Sequence, residues 1–310
     1  MSAGEPAPIR RARGSAPRFG QLKRGTVTMP IMFNTILTET GVPLASVRLI
    51  RHKDKRAKRG LTPYELWRDN RPQFELYQST QSITNRHKLT APYWAVFAVN
   101  LNDETMFAGL YAVKYRGLLK KDTPMPHTDG IDKAGSCDVY DLKLQDTLSD
   151  LIGKLFIDWG LGALAWVQYA ARNNKSVTEL RTDFQEPVFP GFLNFIQPLS
   201  RFDNLPKSWI AALKSSRGIY LLTCPKTKEQ YIGSATGEEG FWDRWQNYVR
   251  SGHGGNVGLK SRDPSDYQVS ILEVAGTSAT TDDILSMEGR WQSKLQSQEM
   301  GLNRNSARRC

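Results

Sequence analysis

The chain has 310 residues, 39% hydrophobic and 10% aromatic, with a formal net charge of +11. That length can bury two ordinary cores, and that charge suits a partner rich in phosphate. With no run of 18 apolar residues and no apolar leader, neither a helical membrane span nor a secretion signal is expected. Cys137, Cys224 and Cys310 are odd in number and lack CxxC spacing. They predict neither a zinc site nor a disulfide framework, and they point to a reducing cytoplasm. His52, His87, His127 and His253 are too dispersed to predict a metal cluster.

The charge is uneven along the chain. Arg10, Arg11, Arg13, Arg18, Lys23 and Arg24 face a single acid, Glu5, near the N-terminus. Residues 1–28 read as a disordered basic arm, as an upstream extension of a start at Met29 or Met32, or as an arm that contacts phosphate. Residues 42–50 (VPLASVRLI) predict a short helix with Pro43 in its first turn. The charged loop 52–59 offers Lys53, Arg56 and Arg59 as phosphate contacts, or is an ordinary solvated loop. Thr62-Pro63-Tyr64-Glu65 is a helix start: an N-cap, a proline at the first helical position and a capping box. Pro72 then divides the aromatic stretch 64–77 into two short helices or a kinked one.

From residue 93 the pattern changes to short aromatic and β-branched runs at 93–99, 106–113, 154–159, 165–169 and 177–181. Strands without intervening helices predict an antiparallel sheet or small barrel. Residues 120–136 read as an exposed, mobile loop, and 184–204, rich in Pro, Phe and Asn, as a connection between domains. Beyond them come a helix at 205–213, strands at 217–222 and 230–233, a helix at 241–250, a strand at 268–274 and a helix at 282–296.

Within this last third lie Gly218-Ile219-Tyr220 and Tyr231-Ile232-Gly233, followed by Arg244, Glu288 and Asn303. The set, in that order and at those intervals, resembles the GIY-YIG nuclease family over about residues 205–310. The resemblance implies a small α/β domain with a three-stranded antiparallel sheet flanked by helices. The whole chain is then a two-domain α+β or α/β protein: the arm at 1–28, a substrate-recognition domain at 29–200 and a nuclease domain at 205–310. It also implies DNA phosphodiester hydrolysis with one divalent metal, Mg²⁺ or Mn²⁺ in its place.

In that resemblance Glu288 matches the single metal-binding carboxylate and Arg244 the helix arginine whose planar fork suits the scissile phosphate. Tyr220 and Tyr231 match the motif tyrosines, one of which helps deprotonate the attacking water. A free phenol titrates near pH 10, so that role needs a cation nearby. Tyr248, one helical turn after Arg244, shares its face. Asn303 matches the asparagine that supports the site, and the small residues of Gly233-Ser234-Ala235 let backbone come close to phosphate or metal. His253, in the Gly-rich loop 251–256, is a DNA contact, a catalytic helper or a plain structural residue. The stretch between Gly233 and Arg244 is slightly longer than in the family's homing endonucleases and carries Glu238 and Glu239, neither a better metal ligand than Glu288.

Family members attach other modules to select DNA, and residues 30–200 loosely resemble a PUA-like barrel that holds a modified base between aromatic rings. Trp94, Phe97, Tyr111, Trp159, Trp166 and Tyr169 are the candidate cage and Asp158 the hydrogen-bond partner; the alternative is that these aromatics are core. The sequence therefore reads as a metal-dependent DNA endonuclease of bacterial or phage-defence type, restricting modified foreign DNA, with a homodimer expected for cutting both strands. The alternatives are a repair or mobile-element nuclease that cuts by DNA structure, and a DNA-binding protein that has lost catalysis.

Overall fold

The aromatic runs of the first two thirds become strands because each has two faces to bury. The computed structural model describes residues 30–53, 60–161, 165–252, 254, 259 and 266–303. The first sheet contains β1 (Val47–His52), β2 (Thr80–Ser82), β3 (Tyr93–Val99), β4 (Thr105–Leu118), β7 (Cys137–Leu144), β8 (Leu155–Ile157), β9 (Val167–Tyr169) and β10 (Val177–Leu180). Its order is β10-β8-β4-β3-β1-β9, and the long β4 also pairs with β7, which carries β2. The sheet curls into a half-barrel.

One face packs Ile50, Trp94, Val96 and Met106 against Tyr64, Leu66, Trp67 and Phe74. These come from α2 (Pro63–Asp69) and α3 (Arg71–Ser79). The other face packs Val47, Leu49, Phe97 and Phe107 against Phe33 and Leu37 of α1 (Phe33–Glu39). The capping box forms as read, with Thr62 capping α2 and Glu65 closing the return bond.

Three sequence expectations are corrected. Residues 42–50 do not form a helix: Leu44–Ser46 makes a 3₁₀ turn and β1 follows, parallel to β3 and antiparallel to β9. An apolar run of this length is ambiguous by periodicity. Here alternate residues of β1 feed the two opposite cores, a period-two burial that only a strand supplies. The sheet is accordingly mixed rather than purely antiparallel. Residues 120–136 contain no buried residue, as read for an exposed loop, and β5 (Thr123–Pro124) and β6 (Ile131–Asp132) pair within them.

The third correction concerns 184–204. This stretch supplies β11 (Ile196–Pro198), which pairs with β14 (Gln268–Val274). The second sheet thus has four strands, not three, in the order β11-β14-β12-β13, with β12 at Gly218–Thr223 and β13 at Gln230–Ala235. Phe195, Leu199 and Phe202 join Trp209, Trp245 and Tyr248 in its core, from α4 (Lys207–Lys214) and α5 (Gly240–Ser251). The C-terminal helix Thr281–Lys294 covers the opposite face.

Residues from Ile31 onward group as one unit, and buried polar bonds tie its two sheets together. Arg201 Nη1 donates to Glu65 Oε2 at 2.9 Å and to the Gly60 carbonyl at 3.1 Å. Arg68 donates to the Asn204 carbonyl. Glu65 is fully buried, and the Arg201 guanidinium is its ion-pair partner. Replacing Arg201 with alanine strands that carboxylate and should cost about 3–5 kcal/mol. Urea unfolding checks this, and an unchanged midpoint would remove the pair from the account of stability.

Candidate active site

The second sheet sorts its residues by alternation. Tyr220 and Leu222 of β12 and Tyr231 and Ala235 of β13 face α4 and α5. Ile219 and Ile232 face Ile284 and Met287 of the C-terminal helix. Because β13 is the edge strand, groups on the two faces can meet around it. Ser234 lies on the C-terminal-helix side, where its hydroxyl donates to Glu288 Oε2. Gln292, one turn beyond Glu288, donates to Glu288 Oε1 at 2.8 Å. Both oxygens of this carboxylate are therefore aimed by neutral donors.

On the other side Arg244 projects from α5. Its Nε donates to Tyr220 Oη at 2.9 Å, its Nη1 to the Gly254 carbonyl at 3.2 Å and its Nη2 to Tyr248 Oη at 3.4 Å. The two phenol oxygens are themselves 3.0 Å apart. A guanidinium has five N–H donors, and these three bonds leave one on each Nη. The remaining N–H groups are donors of the kind that binds phosphate oxygens. Arg244 and Glu288 come close enough around the sheet edge for the arginine's charge to favour ionisation of the carboxyl.

Space at the edge is made by Gly233. A Cβ there would lie 2.6 Å from Tyr220 Cζ and 2.8 Å from Tyr231 Cε1, so both motif tyrosines occupy the room that a side chain would need. Asn303 closes the edge. Its Oδ1 accepts from the Ile232 N–H at 2.8 Å and its Nδ2 donates to the Ile232 carbonyl at 2.7 Å. One side chain thus substitutes for a neighbouring strand, while Leu302 N–H serves the Gln230 carbonyl at 2.8 Å.

Titration follows from burial. Desolvation holds Tyr220 above the ordinary phenol range, with Tyr231 adding to it and Arg244 opposing it. Tyr248 is pushed well above the same range, again by burial first. Burial works against the Arg244 charge, yet the phenol oxygens of Tyr220 and Tyr248 favour it, and the balance lies above the ordinary arginine value. Burial also raises Glu288, opposed by Ser234, Arg244 and Gln292. With their protons in place at neutral pH, Tyr220 and Tyr248 act on Arg244 as positioning groups.

Six of the sequence candidates thus come together: Tyr220, Tyr231, Arg244, Tyr248, Glu288 and Asn303. Ser234, Gln292 and the Gly254 carbonyl complete the set. Spacing alone could have flagged Gln292, four residues after Glu288 on a helix. The remaining candidates sit elsewhere. Trp94 is 1% exposed, with Nε1 donating to the Leu89 carbonyl. Trp159 is 3% exposed, with Arg51 and Lys175 each 5.0 Å from its ring, so neither indole presents an open face to a base. Exposed Asp158 accepts from Gly160 N–H, and with Lys53 and Trp159 it lines a separate cavity of about 430 Å³. Arg56, Arg59, His253 and the arm 1–28 lie outside the described residues. Glu239 is turned away, paired with Lys214 at 2.8 Å.

Glu288 offers hard oxygen donors, and among the described residues no three His, Cys, Asp or Glu side chains form a metal cage. One carboxylate fits a cation such as Mg²⁺ that keeps most of its waters and takes others from a phosphate. No family model and no curated protein matches the chain. Among solved structures it is similar to the catalytic domain of homing endonuclease I-TevI, 26% identical over 28% of this chain and 95% of that one, with a TM-score of 0.23. No described helix is long and apolar enough to cross a membrane.

Two measurements check this arrangement. A carboxyl whose pKa is raised on folding binds more protons in the native state, so its contribution to stability falls as pH rises through the shifted value. Metal-free Glu288→Gln should therefore melt higher than the wild type at pH 7, with the gain shrinking toward pH 4; a loss at pH 7 would contradict the burial argument. Gly233→Ala should cost about 1–3 kcal/mol by overpacking against Tyr220 and Tyr231, read from urea unfolding, and a neutral result would mean the edge has slack.

Proposed function

We propose that this protein is a divalent-metal-dependent endonuclease that hydrolyses DNA phosphodiester bonds. The observation that carries the reading is Arg244, with one uncommitted donor on each Nη, set across the sheet edge from Glu288. A guanidinium fixed by two phenols and a carbonyl is preorganised for the charge that builds on a phosphate under attack, and it needs no rearrangement to act. Glu288 would hold the metal ion, which when bound supplies a more acidic water and spreads phosphate charge.

The chain's own residues do the remaining work. Ser234 and Gln292 keep the Glu288 carboxylate aimed at the edge, and Tyr220 and Tyr248 lock the rotamer of Arg244. Asn303 holds β13 so that the two faces keep their separation. The net charge of +11 supplies the long-range attraction that a polyanion requires. Cutting both strands would bring two such sites together, one from each protomer, and selection of the DNA falls to the half-barrel part of the chain.

The test compares wild type, Glu288→Ala and Arg244→Ala on duplex DNA in Mg²⁺. Loss of one preorganised donor to a developing anion costs about 10²–10³-fold in rate, so Arg244→Ala should fall by that factor. Glu288→Ala and EDTA-treated wild type should both be silent, with DNA binding kept by electrophoretic shift. Cleavage by Glu288→Ala at the wild-type rate, or cleavage unaffected by EDTA, would sink the reading.

A further inference from the structure

A second concavity, of about 760 Å³, lies between the two sheets, away from Arg244 and Glu288. That volume is within the range of small-molecule pockets, about 300–1,000 Å³. Apolar walls come from Val99, Leu101, Pro190, Ile196 and Pro198, and among the polar lining residues Arg201 and Gln197 are buried. Gln197 is 9% exposed, on β11, and its amide has no hydrogen-bond partner among the described residues. Arg201 is 7% exposed, and only its Nη1 is committed, to Gly60 and Glu65. Its Nε and Nη2, the side-on fork of the guanidinium, have no partner among the described residues.

Charge decides what this fork would take. Arg201 is paired with the buried Glu65 at 2.9 Å, and Lys53, also in the lining, with Asp103 at 2.6 Å. Among the described residues the lining's acids, Asp103 and Asp266, equal its bases, Lys53 and Arg201, and Glu65 behind Arg201 puts the acids ahead by one. A phosphate or carboxylate would meet that excess, whereas a neutral, flat ligand with two adjacent acceptors would not. Guanine presents such a pair at O6 and N7, and the bidentate arginine contact to it is the commonest specific contact to a base edge. An unpaired amide lining the same cavity can serve a further donor or acceptor of the same ring.

We infer that this cavity is a nucleobase pocket, taking a guanine-type edge on Arg201 with Gln197 as the second reader. A concave site cannot reach a stacked base, so in DNA the base must be extrahelical. This source of the base rests on the nuclease reading above, whereas the pocket itself does not, because a free nucleoside carries the same edge.

The experiment therefore has two arms, both in EDTA. Fluorescence anisotropy follows binding to a duplex with one unpaired guanine and to the same duplex with 7-deazaguanine, which lacks the N7 acceptor. Saturation-transfer NMR follows deoxyguanosine against its 7-deaza analogue. Wild type should lose about tenfold in affinity, or its NMR signal, on the deaza ligand, as expected for a broken bidentate pair. Gln197→Leu should bind guanine several-fold more weakly while melting as the wild type does; it spares the buried ion pair that Arg201→Ala would break. Discrimination in the duplex arm assigns the base to DNA, and discrimination with the nucleoside alone assigns it to a free ligand; both support the pocket. Equal binding of guanine and 7-deazaguanine in both arms overturns it. A protein that discriminates these bases yet cuts no DNA would leave the pocket standing and remove the nuclease. One that cuts through Glu288 without discriminating would do the reverse.

Discussion

Everything at the candidate active site depends on β13 being an edge. In the middle of a sheet, side chains on opposite faces are separated by backbone and cannot act on one atom. At the edge, the Ser234–Glu288 contact on one face and the Arg244–Tyr220 contact on the other bracket the same strip of strand. An open edge is also a hazard, because unpaired N–H and C=O groups recruit other chains. Asn303 and Leu302 cover the Gln230 to Ile232 portion and stop short of Ser234. Protection of the strand and access to the site are thus divided between neighbouring residues.

Burial sets which groups can change charge. Tyr220 and Tyr248 are almost fully enclosed, and the low local dielectric disfavours their phenolates. The same enclosure makes their hydroxyls good anchors for a guanidinium, since hydrogen bonds strengthen where water is excluded. The expectation that a motif tyrosine serves as base therefore does not extend to Tyr220 by itself. Glu288 has been moved part of the way toward its neutral form by desolvation, a cost that a bound cation would reverse.

How much was legible in the sequence divides along physical lines. The start of α2 was readable because Thr62, Pro63 and Glu65 act within one turn, and the pairing of Arg244 with Tyr248 because helical spacing fixes it. The positions of β12, β13 and β14 along the chain followed from local punctuation. β1 was misread since VPLASVRLI satisfies a helix or a strand equally until β3 and β9 claim its two edges. The 184–204 stretch looked like a connection because its prolines and asparagines are loop residues, while the burial of Phe195 and Phe202 is decided by α4 and α5. Arg201 and Gln197 carried no local signal at all. Their environment is made by Glu65, far away in the chain, and by the wall of the first sheet.

Arg201 shows why such distant pairings matter to function. A buried ion pair is seldom the most stabilising choice, because desolvating both charges offsets most of their attraction. What the pair does supply is direction: Glu65, fixed by the cap of α2, holds Arg201 through Nη1 and leaves its Nε and Nη2 uncommitted among the described residues. Arg244 is organised on the same plan, with Tyr220, Tyr248 and the Gly254 carbonyl taking three donors and leaving a defined pair. In both places the protein saturates the part of an arginine it does not need. Covering either edge with a ligand then excludes the water that screens it, and the interaction strengthens as the site closes.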